Sequence, residues 1–482
     1  MIVYREQRRR VATVEVLRRI IAARGFEREM ELGELHAGIA DAYCPDCDRE
    51  VDGMGLPAEI EISVPEGFAY YAVDPELYRI AARRFRDEVR PQQVAVIGIR
   101  SIGTTLGVIV ANELGGRLWT VRPRGHPWDR RVHVGYDIAR AWLAWPGHFA
   151  IVDEGPGLSG SSFASVADFL SGLGIADHRI VFLPSWAADG SSFVSETARR
   201  RWKRHRKYTA EFEELGLFDD AAELSAGRWR KLRHVRSAVQ PQHERRKYLR
   251  GDRLYKFAGY GRYGRDKLAR AERLGGWIPD VLELERGFIA TRWVEGRSVR
   301  MCNAFIEHAA RYLAHISREF STHDAADVEG LAKMIEVNTG RAWPGDLPES
   351  RAVALDGRML PHDWLDTPAG YVKTDALDHY DDHFFPGPQD IAWDLAAFGV
   401  ECRGGGAYLV ERYQQETRDP DLYARLPFYR MAYLAFRRGY CDLASQALGE
   451  TLDAARFRLA RSRYDELIRT EPWMTKTSRS FV

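Results

Sequence analysis

Short apolar runs alternate with amphipathic segments across residues 60–187. Residues 94–99 (VAVIGI) and 148–152 (HFAIV) are almost continuously apolar, whereas residues 75–89 (PELYRIAARRFRDEV) place apolar side chains at helical spacing. Continuous runs are typical of strands buried on both faces, so the alternation predicts a mostly parallel sheet covered by helices. Ligands of such sheets bind at the carboxyl ends of the strands, which directs attention to the residues that follow each run.

Three further segments differ in pattern from this α/β region. Residues 1–59 carry apolar positions at helical spacing, which predicts a helical arm and a candidate hood over a site. Residues 188–222 lose this periodicity and contain the basic run ARRRWKRHRKY, so they are predicted to be a basic linker. Residues 223–482 begin with strand-like stretches and become mainly helical after Met301. We expect a two-lobed α+β domain there, with a small strand-rich lobe followed by a larger helical lobe.

Composition and charge narrow the class of protein. The chain has 482 residues, of which 45% are hydrophobic, with 70 Lys and Arg against 69 Asp and Glu. This balance gives no overall charge that would draw the chain to nucleic acid or to an anionic membrane. No apolar stretch approaches the roughly 20 residues that cross a bilayer, and the start lacks the apolar core of a signal peptide. These features predict a cytoplasmic protein that does not enter a membrane.

Two local features could indicate zinc or nucleic acid as a partner, but their spacing and pattern do not favour either one. Cys44 and Cys47 form a single CPDC motif, but a structural zinc site needs four ligands and no second pair follows at usable spacing. The basic run at 198–208 includes Trp202 and Tyr208, a mixture that could bind nucleic acid. Charge runs are more often solvated helix faces, so nucleic acid is not the expected partner. We expect small-molecule substrates, and the chain could also form a homodimer.

Residues 151–163 (IVDEGPGLSGSSF) hold the first candidate site. An apolar strand leads into Asp153 and Glu154, then into a glycine-rich turn with hydroxyl groups and the start of a helix. Such a turn directs backbone N–H groups at one point and favours a phosphate. Ser161 stands where a P-loop would carry its lysine, so a P-loop NTPase is not favoured. The two acids could accept hydrogen bonds from the hydroxyls of a ribose whose 5-phosphate lies in the turn.

These residues resemble the signature of type I phosphoribosyltransferases, and the resemblance covers about residues 60–185. VAVIGIRSIGTTLG at 94–107 is similar to the family's pyrophosphate loop, and TVRPRGHPWDRRVHV at 120–134 takes the place of its mobile basic loop. The resemblance implies Mg²⁺ and phosphoribosyl pyrophosphate (PRPP) as cofactor and substrate, with Asp153 and Glu154 as the catalytic acids. The residues that it implies in PRPP binding are Arg100, Ser101, Gly103, Thr104, Arg122, Arg124, Gly157, Ser159, Gly160, Ser161 and Ser162.

The C-terminal half holds a second constellation. LYKFAG at 254–259 is a predicted strand that carries Lys256, and the helix that follows carries Glu272. A strand lysine paired with a helix glutamate orients ATP phosphates in kinase-like folds. GFIATRWVEGRSV, VALDGRMLPHDWL and PQDIAWDLAAF then resemble, in order, the hinge, the catalytic loop and a following helix of aminoglycoside-phosphotransferase-like kinases. This resemblance covers about residues 225–480.

The second resemblance implies roles for individual residues. Asp356 would be the catalytic base, with Asp363 as the alternative in another register, and Asp394 would buttress the loop. The metal would be held by Asp375 and by His362, which stands where the family has an asparagine. ATP would contact Lys256, Glu272 and Gly227, the last as part of a phosphate-covering loop. GYGRYG at 259–264 fits a dinucleotide-binding pattern, but the helical remainder cannot supply a parallel sheet around it.

Together the two constellations predict a bifunctional enzyme. PRPP-dependent phosphoribosyl transfer would occur in the N-terminal half and ATP-dependent phosphotransfer in the C-terminal half, both with Mg²⁺, in the metabolism of nucleotide-like molecules. The alternative is a regulatory protein that senses PRPP or nucleotides and whose kinase-like half is a non-catalytic binding module. Pyrophosphate release with some acceptor distinguishes the enzyme from the sensor.

Overall fold

The computed structural model describes residues 18–19, 26–43, 62–157, 159–191, 193–382, 384–402 and 404–471. Two units are distinguished by their internal contacts. The first unit is Met1–Asp219 with Gly259–Tyr263, and the second unit is Asp220–Ala258 with Gly264–Val482. The CPDC motif at 44–47 and most of the predicted helix before Gly25 lie outside the described residues.

Strands and helices alternate in the first unit, as the pattern predicts. Strands β2, β1, β5, β6 and β7 form one sheet in that order, and every neighbouring pair is parallel. Strands β3 and β4 form a separate antiparallel hairpin. The bounds are α1 (Phe26–Tyr43), α2 (Glu66–Ala69), α3 (Pro75–Val89), β1 (Val94–Ile99), α4 (Ile102–Leu114), β2 (Arg117–Val121), β3 (Arg124–His126), β4 (Asp129–Arg131), α5 (Tyr136–Leu143), β5 (His148–Val152), α6 (Ser161–Gly172), β6 (Ile180–Leu183), α7 (Glu196–Arg204) and β7 (Arg206–Lys207).

The centre of this sheet shows why its strands read as continuous apolar runs. Every residue of β1 is buried, because helices cover both faces. Gly98 is required on β1, since a Cβ atom at that position would lie 2.1 Å from the carbonyl oxygen of Gly103 at the start of α4. Helix α3 begins at Asp74, whose side chain accepts a hydrogen bond from the backbone N–H of Glu76 at 2.8 Å, and Pro75 follows at the first helical position. The close approach at the end of β1 and the start of α3 are thus both specified by residues nearby in the sequence.

The predicted basic linker is part of the first unit. Its basic run forms α7 and β7, and β7 pairs with β6 as the edge strand of the sheet. Trp202 is 1% exposed, and its ring lies 5.5 Å from that of Phe182. The buried aromatic face of α7 holds the helix in the fold, so the prediction of a linker over 188–222 is wrong, although the division at Asp219 falls inside that range.

The second unit begins with a five-stranded antiparallel sheet in the order β11, β12, β10, β9, β8. Helices predominate after β13, as the sequence predicts, but RWRKLRHV forms the short helix α8 rather than a strand. The bounds are β8 (Ala222–Glu223), α8 (Arg230–Arg233), β9 (Lys247–Arg250), β10 (Arg253–Phe257), α9 (Arg262–Leu274), β11 (Val281–Glu285), β12 (Phe288–Arg292), β13 (Arg297–Ser298), α10 (Asn303–Glu319), β14 (Ser321–Ala325), α11 (Val328–Thr339), β15 (Arg351–Val353), β16 (Trp364–Thr367), β17 (Gly370–Lys373), α12 (Ala392–Glu401), α13 (Gly406–Thr417), α14 (Leu422–Ala447) and α15 (Leu452–Thr470).

The core of the second unit lies among α10, α12, α14 and the short strand β16. Trp364 on β16 is 1% exposed, and its ring lies 5.5 Å from that of Phe305 and 5.2 Å from that of Tyr312 on α10. Burying a large apolar side chain contributes roughly 1.5–3 kcal/mol, so this cluster anchors the loop that precedes β16. None of the helices within the described ranges has both the length and the apolar character needed to cross a membrane.

Candidate functional site

Three loops that the sequence singles out meet at one edge of the parallel sheet. They follow β1, β2 and β5, which are neighbours in the sheet, and parallel neighbours end at the same edge. A Cβ atom on Gly103 would lie 2.6 Å from the carbonyl oxygen of Val152 and 3.3 Å from Oδ1 of Asp153. The loop after β1 therefore touches the loop after β5, and only glycine permits this approach.

The two acids after β5 have different surroundings. The hydroxyl of Tyr78 donates to the backbone oxygen of Asp153 at 2.7 Å, and the carboxylate of Glu154 accepts a hydrogen bond from the backbone N–H of Gly67. Burial raises the pKa of Asp153 to about 8, although a backbone hydrogen bond, Arg122 and Arg130 act in the opposite direction. Burial and the charge of Asp153 raise the pKa of Glu154 well above its usual value. Burial therefore favours the protonated form of both acids.

The glycine-rich turn is held against the β3–β4 hairpin. Gly160, with φ of 62°, precedes α6, and the hydroxyl of Ser161 donates to the backbone oxygen of Pro127 at 2.6 Å. Ser159 Oγ lies 3.0 Å from Ser161 Oγ, and Nη1 of Arg130 donates to Ser162 Oγ at 2.9 Å. The hydroxyls predicted to bind phosphate are thus already hydrogen-bonded, whereas Gly157 is exposed in the same turn.

The basic residues of the pyrophosphate loop surround an acid that sequence reasoning missed. Nε of Arg100 lies 3.0 Å from Oδ1 of Asp41 at the end of α1, and Nε of Arg122 donates to its Oδ2 at 2.9 Å. Arg122 also donates to Ser101 Oγ at 2.7 Å, and Arg124 donates to the backbone oxygen of Asp41 at 3.1 Å. Asp41 is one of several acids in its helix and carries no signal of this contact, because its partners lie about sixty to eighty positions further along the chain.

Thr104 does not fit the role that the resemblance implies for it. Its side chain is fully buried, and within the described part of the chain its hydroxyl has no hydrogen-bond partner. A ligand at the sheet edge could reach its backbone but not its hydroxyl. Ser101 and Gly103 of this loop, together with Arg122 of the basic loop, remain the residues that lie near Asp153.

In the second unit, the predicted ATP lysine contacts the predicted metal ligand. Nζ of Lys256 on β10 lies 2.5 Å from Oδ1 of Asp375, which follows β17, and it also contacts Asp378. Burial opposes the charge of Lys256, but the two carboxylates raise its pKa above the usual value. Lys256 and Asp375 are far apart in the sequence, which nevertheless predicts them in one site. This ion pair brings the two side chains together.

The predicted pair of Lys256 with Glu272 is not formed. Glu272 is exposed on α9, whereas the buried face of that helix carries Lys267 and Arg270. Nζ of Lys267 lies 3.1 Å from Asp381, and Arg270 donates to the backbone oxygen of Leu355 at 2.7 Å. Helix α9 thus supplies positive charge where the resemblance implies a carboxylate, which corrects the role given to Glu272.

The residue predicted to be the catalytic base is enclosed. Asp356 is 0% exposed, and its carboxylate accepts hydrogen bonds from Tyr312 Oη at 2.5 Å and Lys373 Nζ at 3.2 Å. Asp394 accepts hydrogen bonds from the backbone N–H groups of Asp356 and Gly357 at 2.9 and 3.0 Å, which is the buttressing role predicted for it. A carboxylate enclosed in this way cannot reach a substrate, so the prediction for Asp356 is corrected.

The alternative base is also engaged. Asp363 is 3% exposed and is bound by both Nε and Nη2 of Arg358, at 3.0 and 2.9 Å. Arg358 and Lys373 hold the pKa of Asp363 well below its usual value against the effect of burial. A carboxylate in a bidentate pair with arginine is a weak proton acceptor. Neither candidate carboxylate is free to act as a base in this arrangement.

A cavity of about 780 Å³ lies beside these residues in the second unit. Lys256, Asp375 and His362 are on its wall, and so are residues of the long β8–β9 connection. His362 stacks on Trp229 of that connection, with ring centroids 5.9 Å apart, and burial lowers its pKa. Gly227, the predicted phosphate-covering residue, lies in the same connection, where its N–H donates to Glu244 at 2.5 Å, but it does not line the cavity.

The wall offers oxygen ligands for a divalent metal. Asp375 and Asp378 both line the cavity, and Mg²⁺ prefers carboxylate oxygens to imidazole nitrogen. The residues therefore fit magnesium through these carboxylates better than through His362. Across the described residues, no cluster of three or more His, Cys, Asp and Glu side chains is arranged as a complete protein site.

No protein-family model matches the chain, and a comparison with curated protein sequences finds no match. Solved structures that are similar over about half of the chain include proteins described as kinases of small molecules. A choline/ethanolamine kinase family protein from Mesorhizobium loti is 17% identical, with 48% of this chain and 86% of that chain covered and a TM-score of 0.33. An ethanolamine kinase from Plasmodium vivax is 10% identical, with 59% and 93% covered and a TM-score of 0.34. Amicoumacin kinase in complex with AMP-PNP and Ca²⁺ is 11% identical, with 54% and 92% covered and a TM-score of 0.35.

Proposed function

We propose that the chain is a magnesium-dependent transferase whose second unit carries out ATP-dependent phosphotransfer to a small molecule. The contact between Lys256 and Asp375 on the wall of a 780 Å³ cavity carries this proposal. The antiparallel order of the five-stranded sheet, with Lys256 on its central strand β10, supports it, because a strand lysine in such a lobe grips ATP phosphates in kinase-like folds.

Each polar group of the cavity has a defined task in this proposal. Asp375 and Asp378 would hold Mg²⁺, which would supply positive charge to neutralise the phosphates of ATP. Lys256 would exchange its contact with Asp375 for the phosphates, and Arg358 would keep Asp363 neutralised. His362 is one of three histidines on the wall, and it would accept the proton of the attacking hydroxyl, because burial lowers the pKa of its imidazole and favours the neutral form.

Binding of a fluorescent ATP analogue to the full chain tests the site. Asp375→Asn and Lys256→Met should each weaken Mg-dependent binding by at least about tenfold, because each removes a charged contact worth about 1.5–3 kcal/mol. Asp366→Asn on the exposed side of β16 is the matched control and should change nothing. If no variant alters binding and no label passes from ATP to any small molecule in a panel, the second unit is a non-catalytic binding module.

The first unit favours a second activity, PRPP-dependent phosphoribosyl transfer. The approach of Gly103 to Asp153, with Ser101 and Arg122 beside them, supports this candidate, because these residues come from three loops that the sequence assigned to one ligand. Asp153 would accept hydrogen bonds from the ribose hydroxyls, and Arg122 would bind the diphosphate. The side chain of Arg100 is 1% exposed and paired with Asp41, so it would meet the diphosphate only once Asp41 is displaced. The leaving pyrophosphate would depart from a ribose carbon with oxocarbenium character, so the residues stabilise charge and need no covalent nucleophile.

Calorimetry with PRPP and Mg²⁺ tests the second activity. Asp153→Asn should weaken binding by at least about tenfold through loss of a charged hydrogen bond, whereas Asp87→Asn on the exposed face of α3 should bind normally. Pyrophosphate release should then appear with one of a panel of nucleobases and amides. Binding that depends on Asp153 without any release supports the sensor, and unchanged affinity in Asp153→Asn rejects the site.

A further inference from the structure

We propose that the second unit binds a phosphomonoester attached to a planar ring, with the phosphate between Arg358 and Arg437 and the ring on an adjacent aromatic wall. The inference rests on the proposed phosphotransfer activity and names the chemical class of its acceptor. It is carried by side chains of the cavity that neither the proposed ATP contact nor the proposed metal contact uses.

Arg437 on α14 lines the cavity with spare hydrogen-bonding capacity. Its Nε donates to Tyr464 Oη at 3.2 Å and lies 4.0 Å from Oε1 of Glu401. Within the described part of the chain, its two terminal nitrogens, Nη1 and Nη2, make no hydrogen bond, and both retain contact with the cavity space. Four N–H donors of one buried guanidinium are therefore available to a ligand.

The nearby acid is already shared among other groups. Glu401 accepts hydrogen bonds from Tyr433 Oη at 2.9 Å, Tyr464 Oη at 2.6 Å and Arg463 Nη1 at 3.0 Å. Arg463 is the closer cation, so the charge of Glu401 is divided between two arginines. The positive charge of Arg437 is consequently only partly balanced by this chain.

Arg358 faces the same space from the loop before β16. Its Nε and Nη2 hold Asp363, and Nη2 also lies 3.3 Å from Asp375, which leaves Nη1 without a hydrogen bond among the described residues. Arg358 and Arg437 both line the cavity, and two like charges on one wall repel each other. An anion between them would turn this repulsion into two favourable interactions.

An aromatic wall begins beside Arg437. The ring of Tyr440, one turn along α14, lies 5.7 Å from the guanidinium of Arg437 and 5.9 Å from the rings of both Phe384 and Phe457. All three rings line the cavity. Aromatic faces of this kind bind planar rings by stacking or edge contact, so the surface next to the arginine pair fits a ring that carries the phosphate.

Calorimetric titration of phenyl phosphate into the full chain tests the inference. The chain is first saturated with Mg·AMP-PNP, so that the ATP site is occupied. Arg437→Met should weaken phenyl phosphate by at least about tenfold, because it removes a charged hydrogen-bond donor. Arg438→Met is the matched control, since Arg438 is on the same helix, donates to Asp465 at 2.9 Å and does not line the cavity. Tyr440→Leu should weaken phenyl phosphate but not inorganic phosphate, and it remains informative if Arg437→Met does not fold.

The outcomes separate this inference from the proposed function. Phenyl phosphate binding that is lost in Arg437→Met and kept in Arg438→Met supports the site. Phenol and inorganic phosphate should each bind more weakly than phenyl phosphate, which also supports it. Equal affinity in folded Arg437→Met and Tyr440→Leu, or phenol binding as tight as phenyl phosphate, overturns it. A chain that binds Mg·AMP-PNP but no phenyl phosphate overturns the inference and leaves phosphotransfer standing. Arg437-dependent binding in a chain that does not bind AMP-PNP supports the site and rejects phosphotransfer.

Discussion

At the scale of single residues, burial rather than residue type sets the chemistry of both sites. Asp153 and Glu154 are neighbours in sequence, yet Glu154 is tied to the backbone of Gly67 while Asp153 faces Arg122 and Arg130. In the second unit, Asp356 is enclosed by neutral and cationic donors, whereas Asp375 stands on a cavity wall. The surroundings of a carboxylate in either site determine whether it is available to bind a ligand or only stabilises the fold.

The raised pKa of Asp153 predicts a pH-dependent affinity for PRPP. Its pKa of about 8 lies above the usual 3.8, so the unbound site is protonated at pH 7, whereas the hydroxyls of a ribose bind the ionised form. Affinity should therefore rise by up to about tenfold per pH unit between pH 6 and 8 and level off above 8. Calorimetry in buffers of different ionisation enthalpy should show about one proton released at pH 7.

Asp153→Asn is the control for this pH dependence. An amide does not titrate, so the variant should bind weakly with a flat pH profile. A rise of affinity with pH that persists in Asp153→Asn would assign the titration to another group. Because the protonated acid is the form favoured by folding, the free energy of unfolding of the wild type should fall as the pH rises from about 4 to 8, and this fall should be reduced in the variant.

The position of Asp41 predicts that its carboxylate competes with a bound diphosphate for the same arginine side chains. Its carboxylate lies where Arg100 and Arg122 converge, so a diphosphate must displace it from the same guanidinium groups. Asp41→Asn should therefore raise the affinity for inorganic pyrophosphate by about threefold to tenfold, while Asp87→Asn should leave it unchanged. Titration of pyrophosphate with Mg²⁺ measures this. Weaker binding in Asp41→Asn would show instead that Asp41 orients the arginines for the ligand.

At the scale of elements, the connection between β8 and β9 stands out in the second unit because of its length. It spans residues 224–246 and contains α8, and it supplies several residues of the cavity wall. Arg230 on α8 binds Asp453 on α15 through two hydrogen bonds of 2.6 and 3.1 Å, and both side chains are less than 20% exposed. One bidentate ion pair thus fastens the connection to a helix more than 200 residues further along the chain.

Breaking this ion pair should loosen the connection without unfolding the unit. Asp453→Asn should lower the free energy of unfolding by about 1–3 kcal/mol, because it weakens a partly buried charge-assisted contact. Arg228→Gln is the control: its exposed pair with Glu223 should contribute less than about 1 kcal/mol. Chemical denaturation measures both. A double variant with Arg230→Gln should cost no more than Asp453→Asn plus a few tenths of a kcal/mol if the two residues act through each other.

At the scale of the whole molecule, the chain is not divided at a single point. The first unit takes in Gly259–Tyr263, which come from the segment between β10 and α9, and the basic run before Asp219 is packed as α7 and β7. Separate expression of residues 1–219 therefore omits part of the first unit. The apolar pattern could not reveal this, because five residues are too few to alter the periodicity of a segment.

Limited proteolysis checks this organisation. Residues 344–347 form an exposed stretch without helix or strand, and Arg341 just before them is exposed, whereas the basic run is held by the buried Trp202. Trypsin should therefore cleave after Arg341 before it cleaves within 199–207. Arg341→Gln should remove the early fragment, as read by mass spectrometry. An earlier cut within 199–207 would restore the interpretation of that segment as a linker.

Much of the fold and part of both sites could be predicted from local sequence. The apolar runs at 94–99 and 148–152 identified central strands of a parallel sheet, because burial on both faces removes the polar alternation. The same strands located the loops at the sheet edge. These predictions depend on periodicity, turn chemistry and strand order, all of which are encoded within short stretches of chain. Lys256 and Asp375 were selected instead by the resemblance of their segments to aminoglycoside-phosphotransferase-like kinases.

Only the tertiary structure decided which charged groups meet. Asp41 meets Arg100 and Arg122, Lys256 meets Asp375 instead of Glu272, and Arg358 shares a cavity with Arg437. A charged side chain looks the same in sequence whether it is solvated, enclosed or facing a cavity, since its partner can lie anywhere along the chain. Packing determines that partner, and the partner determines whether the group can bind a ligand, accept a proton or only hold the fold.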